Sequence, residues 1–401
     1  MKYWSRLMLG VLILSLLGLT ACGRSSFECK DPLGCVSYPD NKPIRIATSL
    51  SISGATKNIG LDSQYGVEIA IDMRGEIFGH PIEVQAEDDG CSPEGGQAAA
   101  EKIVADPTII AVIGSTCSGA GIPMAEIISE AGYVMISPSN TAPALTDIEQ
   151  AWKPGYLRVA HNDKVQGLAM AEFAYNILGV QTAAAIHDGD PYTAGLAQVF
   201  ADSFTELGGS MVETVVVSKG RVDMRPALTA IASSGPPDFL YYPVFLPEGG
   251  YITQQAREIP ALYNTILAAA DGMITPDSIT ALGDAGEGMY FSGPDLSFSG
   301  EEYDNFLAAY KEKSQQNQPL AVYHAHAFDA TNMVLNCIED VAIKTSDGLH
   351  IGRQALRACL YNTVNFPGLT GSLTCTEFGD CADPKISISQ LTQGQFHRIW
   401  P

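Results

Sequence analysis

Ile109-Ile-Ala-Val-Ile-Gly-Ser-Thr-Cys-Ser-Gly119 is the stretch that decides the fold. An uninterrupted apolar run breaks into small, hydroxyl-rich residues. A strand without a polar face is buried on both sides, as in a parallel sheet covered by helices. A Gly/Ser/Thr loop directly after it predicts the start of a helix. Working outward toward the N-terminus, 44–50 reads as a strand and 61–74 as a helix with Tyr65, Ile69 and Met73 on one stripe. A strand at 82–86 and a helix at 95–105 complete that side. In the other direction a helix carries Met124, Ile127, Ile128 and Ala131 on one face, and 133–136 is again a continuous apolar strand.

Near Tyr156 to Asn162 the rhythm breaks, then restarts. Val165, Leu168, Ala169 and Phe173 mark a helix. Strands at 182–186, 211–217, 239–242 and 265–269 alternate with helices at 192–207, 224–232 and 251–257. The end is less regular: helices at 302–315, 326–344 and 352–360, then strands at 373–376, 386–391 and 396–400. The fold class is α/β, with two doubly wound parallel-sheet units in tandem.

At 401 residues the chain exceeds the ~250–300 that one core serves, so two domains are expected. Hydrophobic residues at 46% and charged residues at 17% place it among globular chains. The net charge of -22 argues against nucleic acid and anionic lipid as partners. Residues 1–22 read MKYWSRLMLGVLILSLLGLTAC: Lys2 and Arg6, an uncharged apolar run, then Leu19-Thr20-Ala21 before Cys22. The run is shorter than the ~20 residues of a membrane span. It predicts a cleaved lipoprotein signal, Cys22 acylated, and an exported body held by lipid to the cell envelope. Residues 23–43, with Pro32, Pro39 and Pro43, read as a linker.

Nine cysteines less Cys22 leave Cys29, Cys35, Cys91, Cys117, Cys337, Cys359, Cys375 and Cys381. An even number in an oxidising compartment predicts disulfides, although roughly a hundred pairings are open. Proximity favours Cys29–Cys35 and Cys375–Cys381, and the simplest pairing of the rest is Cys91–Cys117 and Cys337–Cys359. No metal-ligand spacing is present, and no metal or other cofactor is expected.

Catalytic motifs are missing: no G-x-S-x-G, no P-loop, no H-E-x-x-H. Gly283-Asp-Ala-Gly-Glu-Gly288 lacks dinucleotide-binding spacing and reads as a turn. His324 and His326 read as packing at a helix start. His187-Asp188-Gly189-Asp190 is either an acid pair or an ordinary strand-end loop. Small polar residues do collect at strand ends, where ligands of open α/β sheets bind. The loop 114–119 feeds a helix N-terminus, which favours an anion, or simply caps it. The loop 137–143 presents hydroxyls between prolines. In the second unit Asp271 stands at a strand end as a partner for a cation, or as a turn residue beside Gly272. Phe245 and Tyr192 offer aromatic walls. An α-amino acid matches such a set.

With Ser53-Gly54, Glu87-Asp88-Asp89-Gly90-Cys91, Ile113-Gly114 before Cys117-Ser118, Ser137-Pro138-Ser139-Asn140-Thr141-Ala142-Pro143, His187-Asp188 with Tyr192, and Phe239-Leu-Tyr-Tyr242, the chain resembles the leucine/isoleucine/valine-binding family of ABC-transporter substrate-binding proteins. The resemblance implies a type I periplasmic binding protein: two lobes joined by crossover strands, the ligand between them. It places 44–160 plus 293–368 in lobe 1 and 161–292 plus 369–401 in lobe 2. It implies a Cys91–Cys117 disulfide, a ligand carboxylate at Ser118 and Thr141, and an ammonium at the Ser139 carbonyl, the Thr141 hydroxyl and Asp271. Tyr192, Phe245 and Ile59 fall near the side-chain pocket. Asp271 stands where the family often has Glu, and Ile59 and Phe245 where it often has Tyr. The implied function is non-enzymatic: capture of a branched-chain or other apolar amino acid by hinge closure, for ABC permease subunits in the membrane. The alternatives are an amide, urea or aromatic-acid ligand on the same fold, a sensor without transport, or an exported enzyme using Asp188 or Asp190.

Overall fold

The structure, a computed structural model, describes residues 27–401; the expected signal and Cys22 lie outside the described residues. Two sheets form the frame. The first runs Glu76–Ile77, His80–Asp88, Ile44–Leu50, Ile109–Gly114, Val134–Ser137, Tyr156–Arg158. All but its first strand pair in parallel. The second runs Gln395–Trp400, Ile386–Thr392, Tyr290–Pro294, Ile266–Ala270, Phe239–Tyr241, Thr182–His187, Ser210–Val216, parallel except for its two C-terminal strands. The run Ile109–Gly114 is buried at every position, as its lack of a polar face requires. In each sheet the first strand of the unit lies inside, between later ones, so connections leave in both directions and open a crevice at the carboxyl ends.

Helices Lys57–Arg74 and His324–Val341 pack together over one face of the first sheet, although some 250 residues separate them in sequence. The chain therefore crosses between sheets after Arg158, returns after Pro294, and crosses again before Ile386. One of the two clusters packed on the second sheet is rich in aromatic rings: Phe200 stacks with Phe204 and Phe239 and tilts against Tyr241, and Phe173 meets Tyr290 and Trp400. Disulfides Cys29–Cys35, Cys91–Cys117, Cys337–Cys359 and Cys375–Cys381 are formed. Among the described residues no helix is long and apolar enough to cross a membrane.

Three expectations change. The linker 23–43 contains a strand, Cys35–Tyr38, paired antiparallel with Gly348–Gly352; Val36 and Tyr38 enter the core while Ser37 faces out. Its alternation is too short to stand out among the prolines. The helix expected to reach residue 344 stops at Val341, because Ile343–Thr345 is claimed by a hairpin with Gly348–Gly352. The segment from 369, expected with the second lobe, stays with the first for another dozen residues: Leu373 and Cys381 are buried in the first lobe's core, and Arg158 N–H donates to the Gly379 carbonyl.

Candidate functional site

The first wall of the crevice is built on backbone. After Ile109–Gly114 the chain turns into the helix Ser118–Glu130, whose N-cap, Cys117, supplies no side-chain cap and is instead clipped to Cys91. Buried Asp89 accepts the N–H groups of Cys91 and Thr116, each at 2.8 Å, tying the disulfide loop to the turn before the helix. Burial pushes the Asp89 carboxyl up to about 7, above what those two donors recover. Ser118 Oγ accepts from the N–H groups of Thr141 and Ala142, both at 3.2 Å. A hydroxyl has two lone pairs and one proton. With both lone pairs engaged, the Ser118 O–H is what remains to serve the crevice. Ser139 Oγ donates to the Thr116 carbonyl at 2.8 Å, locking the second loop to the first. Arg158, wholly buried, holds the same loop from below through the Ala142 carbonyl (2.8 Å) and Thr146 (2.8 Å), and is itself paired with Asp380.

The opposite wall is built on side chains. Strand Ile266–Ala270 ends at Asp271, which is 5% exposed. Its Oδ1 accepts from Gln166 Nε2 at 2.6 Å and the Tyr192 hydroxyl at 3.0 Å, and its Oδ2 accepts from the Tyr323 hydroxyl at 2.8 Å. Burial first, then the Asp271 charge, raises both phenols well above their ordinary range, so they remain neutral donors. Tyr192 lies against Phe245 with ring centroids 5.1 Å apart. Gly272 permits this: a methyl there would come within 2.8 Å of the Phe245 ring.

Ile59, Ser118, Ser139, Tyr192, Phe245 and Asp271 line one narrow cavity between the walls, with Thr116, Cys117 and Tyr323. Thr141 does not line it. Its backbone sits behind Ser118, its N–H bonded to that hydroxyl and its carbonyl accepting the Asp163 N–H at 3.0 Å. Residues 43–383 match the model of a family described as periplasmic binding protein.

The chain belongs to the periplasmic binding protein family.

Among its relatives, an amino acid binding protein of Pseudomonas aeruginosa is 30% identical over 62% of this chain and 65% of its own length. A Leu/Ile/Val-binding protein of Rhizobium johnstonii is 26% identical over 88% of this chain and 92% of its own. The crystal structure of a leucine binding protein from Thermotoga maritima superposes with a TM-score of 0.79 at 27% identity, covering 89% of this chain and 97% of that one.

In this periplasmic binding protein the cleft holds residues that sequence reasoning missed. Tyr323 comes from the first lobe, one residue before the helix His324–Val341, and bonds Asp271 in the second. Its only sequence signal is an aromatic residue after the short apolar run Leu320-Ala-Val322 and just before a helix start, which is weak. Gln166 lies in the first turns of Asp163–Glu172 and also donates to the Ser292 carbonyl at 3.1 Å. Asp163, fully buried, has neither carboxylate oxygen hydrogen-bonded. Burial and then the Asp271 charge raise its pKa well above the carboxylate range. His324, expected as helix-start packing, is buried against Asp62, whose carboxylate accepts the N–H groups of Tyr323 (2.9 Å) and His324 (2.8 Å) and the Tyr310 hydroxyl (2.7 Å). Within the second lobe, Asp188 accepts from Thr193 and the Asp190 N–H, and Asp190 caps the helix Pro191–Glu206.

Proposed function

We propose that this chain is an extracytoplasmic receptor that captures an amino acid, branched-chain or otherwise apolar, and presents it to an ABC permease. The observation that carries the reading is the polarity of the cleft. A hydroxyl at an uncapped helix N-terminus stands on one wall, and a buried carboxylate framed by Gln166, Tyr192 and Tyr323 stands on the other. The first suits a carboxylate by hydrogen bond and helix dipole, the second an ammonium. The names of the relatives support the same ligand class. Ile59 and Phe245 bring no hydroxyl, which favours an aliphatic side chain.

In this reading Ser118 takes the ligand carboxylate, its hydroxyl held from behind by the Thr141 N–H, and Asp271 takes the ammonium with the Ser139 carbonyl. Tyr192, Phe245 and Ile59 flank the side chain. Binding bridges the lobes and shifts them toward closure by its greater affinity for the closed state. No bond is made or broken. The chain is read as exported and attached by lipid at Cys22, whose mass would be raised by acylation in purified membranes.

A thermal-shift screen of the body starting after Cys22 tests the ligand class. Leucine, isoleucine or valine should raise the melting temperature by mass action. Stabilisation only by amides, urea or aromatic acids would overturn the amino-acid assignment.

A further inference from the structure

Gly119 is the second residue of the helix Ser118–Glu130 on the first wall. Asp190 is the N-cap of the helix Pro191–Glu206 in the second lobe. The two meet across the cleft: a methyl on Gly119 would lie 2.3 Å from Asp190 Oδ2 and 3.0 Å from its Cγ. Asp190 cannot swing aside freely. Its Oδ1 accepts the Tyr192 N–H at 3.0 Å, and its Oδ2 accepts from Lys219 Nζ at 2.8 Å. The carboxylate is 1% exposed, whereas the lysine is 45% exposed, so the ammonium braces it from the solvent side. The helix it faces has no side-chain cap, and an uncapped N-terminus attracts negative charge. Further along the same seam, a methyl on Gly195 would rest 3.5 Å from Pro143, an ordinary contact.

We propose that Asp190, braced by Lys219, is the latch that sets how far the lobes close, and that Gly119 is the seat it closes onto. The proposal rests on the reading of the molecule as a hinged binding protein. A side chain at 119 would wedge the lobes apart next to Ser118, so Asp190 and Gly119 act as positioning residues for the bound ligand without touching it.

The test uses Gly119→Ala, Gly195→Ala, Asp190→Ser and the double variant Gly119→Ala/Asp190→Ser in the body after Cys22, with L-leucine as probe. Alanine is the better helix former, so unligated Gly119→Ala should melt no lower than the parent. Serine keeps the N-cap of Pro191–Glu206 while shortening the latch. Gly119→Ala should bind leucine at least tenfold more weakly, mainly through faster dissociation, and Gly195→Ala within about twofold of the parent. The double variant should bind as Asp190→Ser alone does. Unchanged binding in Gly119→Ala, or losses that simply add in the double variant, would overturn the latch. If the parent does not bind leucine, the amino-acid reading falls and scattering decides the latch without ligand. A larger radius of gyration for Gly119→Ala, restored in the double variant, supports it, and identical profiles overturn it.

Discussion

Among the described residues, all four disulfides clip the first lobe or its attached C-terminal segment, while the second lobe has none and packs a mainly aliphatic cluster and an aromatic one. The two walls of the cleft differ in the same way. On the first, Ser118 and Ser139 are fixed by bonds to backbone, Thr116 by the Asp89 carboxylate, and the turn is clipped at Cys117, which leaves the Ser118 O–H toward the cavity. On the second, a single carboxylate is steadied by three side chains, one of which arrives from the other lobe. One wall is a preorganised frame, and the other takes one of its three donors, Tyr323, from across the cleft. Preorganisation lowers the ordering cost of binding, and in the proposed hinged receptor a bond shared by both lobes would couple closure to capture.

The largest effect that could break this contrast is loss of the acid. Asp271→Ala should weaken leucine binding by ~100-fold or more, about 3 kcal/mol, because an ammonium brought into a buried site would lose its charge partner. Calorimetric titration checks this; near-parental affinity would mean that the second wall does not recognise a cation. Next, replacing Cys91 and Cys117 together by serine should lower stability by about 3 kcal/mol, since the bridge closes a loop with a sequence separation of 26. Hydrogen exchange should rise in 89–119 and leave the aromatic core of 182–294 protected; an equal rise in both lobes would erase the contrast. Smaller is Tyr323→Phe, which removes only the inter-lobe hydroxyl. A loss of about 1 kcal/mol in leucine binding is expected, with the unligated melting temperature nearly constant.

The smallest effect is set by pH. Burial alone would raise the Asp62 carboxyl, but His324, the Tyr310 hydroxyl and nearby backbone N–H groups outweigh it and hold it below its ordinary value. A depressed carboxyl contributes stability that is fully present above its unfolded pKa of ~3.9 and is lost as pH falls through the folded value. The turn bearing Tyr323 should therefore loosen only in acid below about pH 4. Amide exchange at 320–324 followed down the acid limb would show it, and Asp62→Asn should remove that step.

Much of this was readable from the chain itself. The apolar runs of 44–50 and 109–113 announce buried parallel strands, because a strand without a polar face has no exposed alternative. Cys29 with Cys35 and Cys375 with Cys381 could be paired by nearness alone. Ser118 and Asp271 were legible because strand-end residues in such sheets must face the crevice. Thr141, expected at the cavity with them, is not among the residues that line it; its N–H bonds the Ser118 hydroxyl, a contact that spacing in the sequence does not show.

What the sequence by itself determined, then, is local and periodic: the α/β alternation, the strand ends, the cysteine staples. Tertiary structure alone decided which distant groups meet. Tyr323 reaches Asp271, Asp62 holds the turn before His324, Arg158 pairs with Asp380, and Asp190 rests on Gly119. Periodicity reports which face of an element is buried but carries no record of what is packed against it. These contacts join segments that lie far apart in sequence and are brought together by the three crossings between lobes.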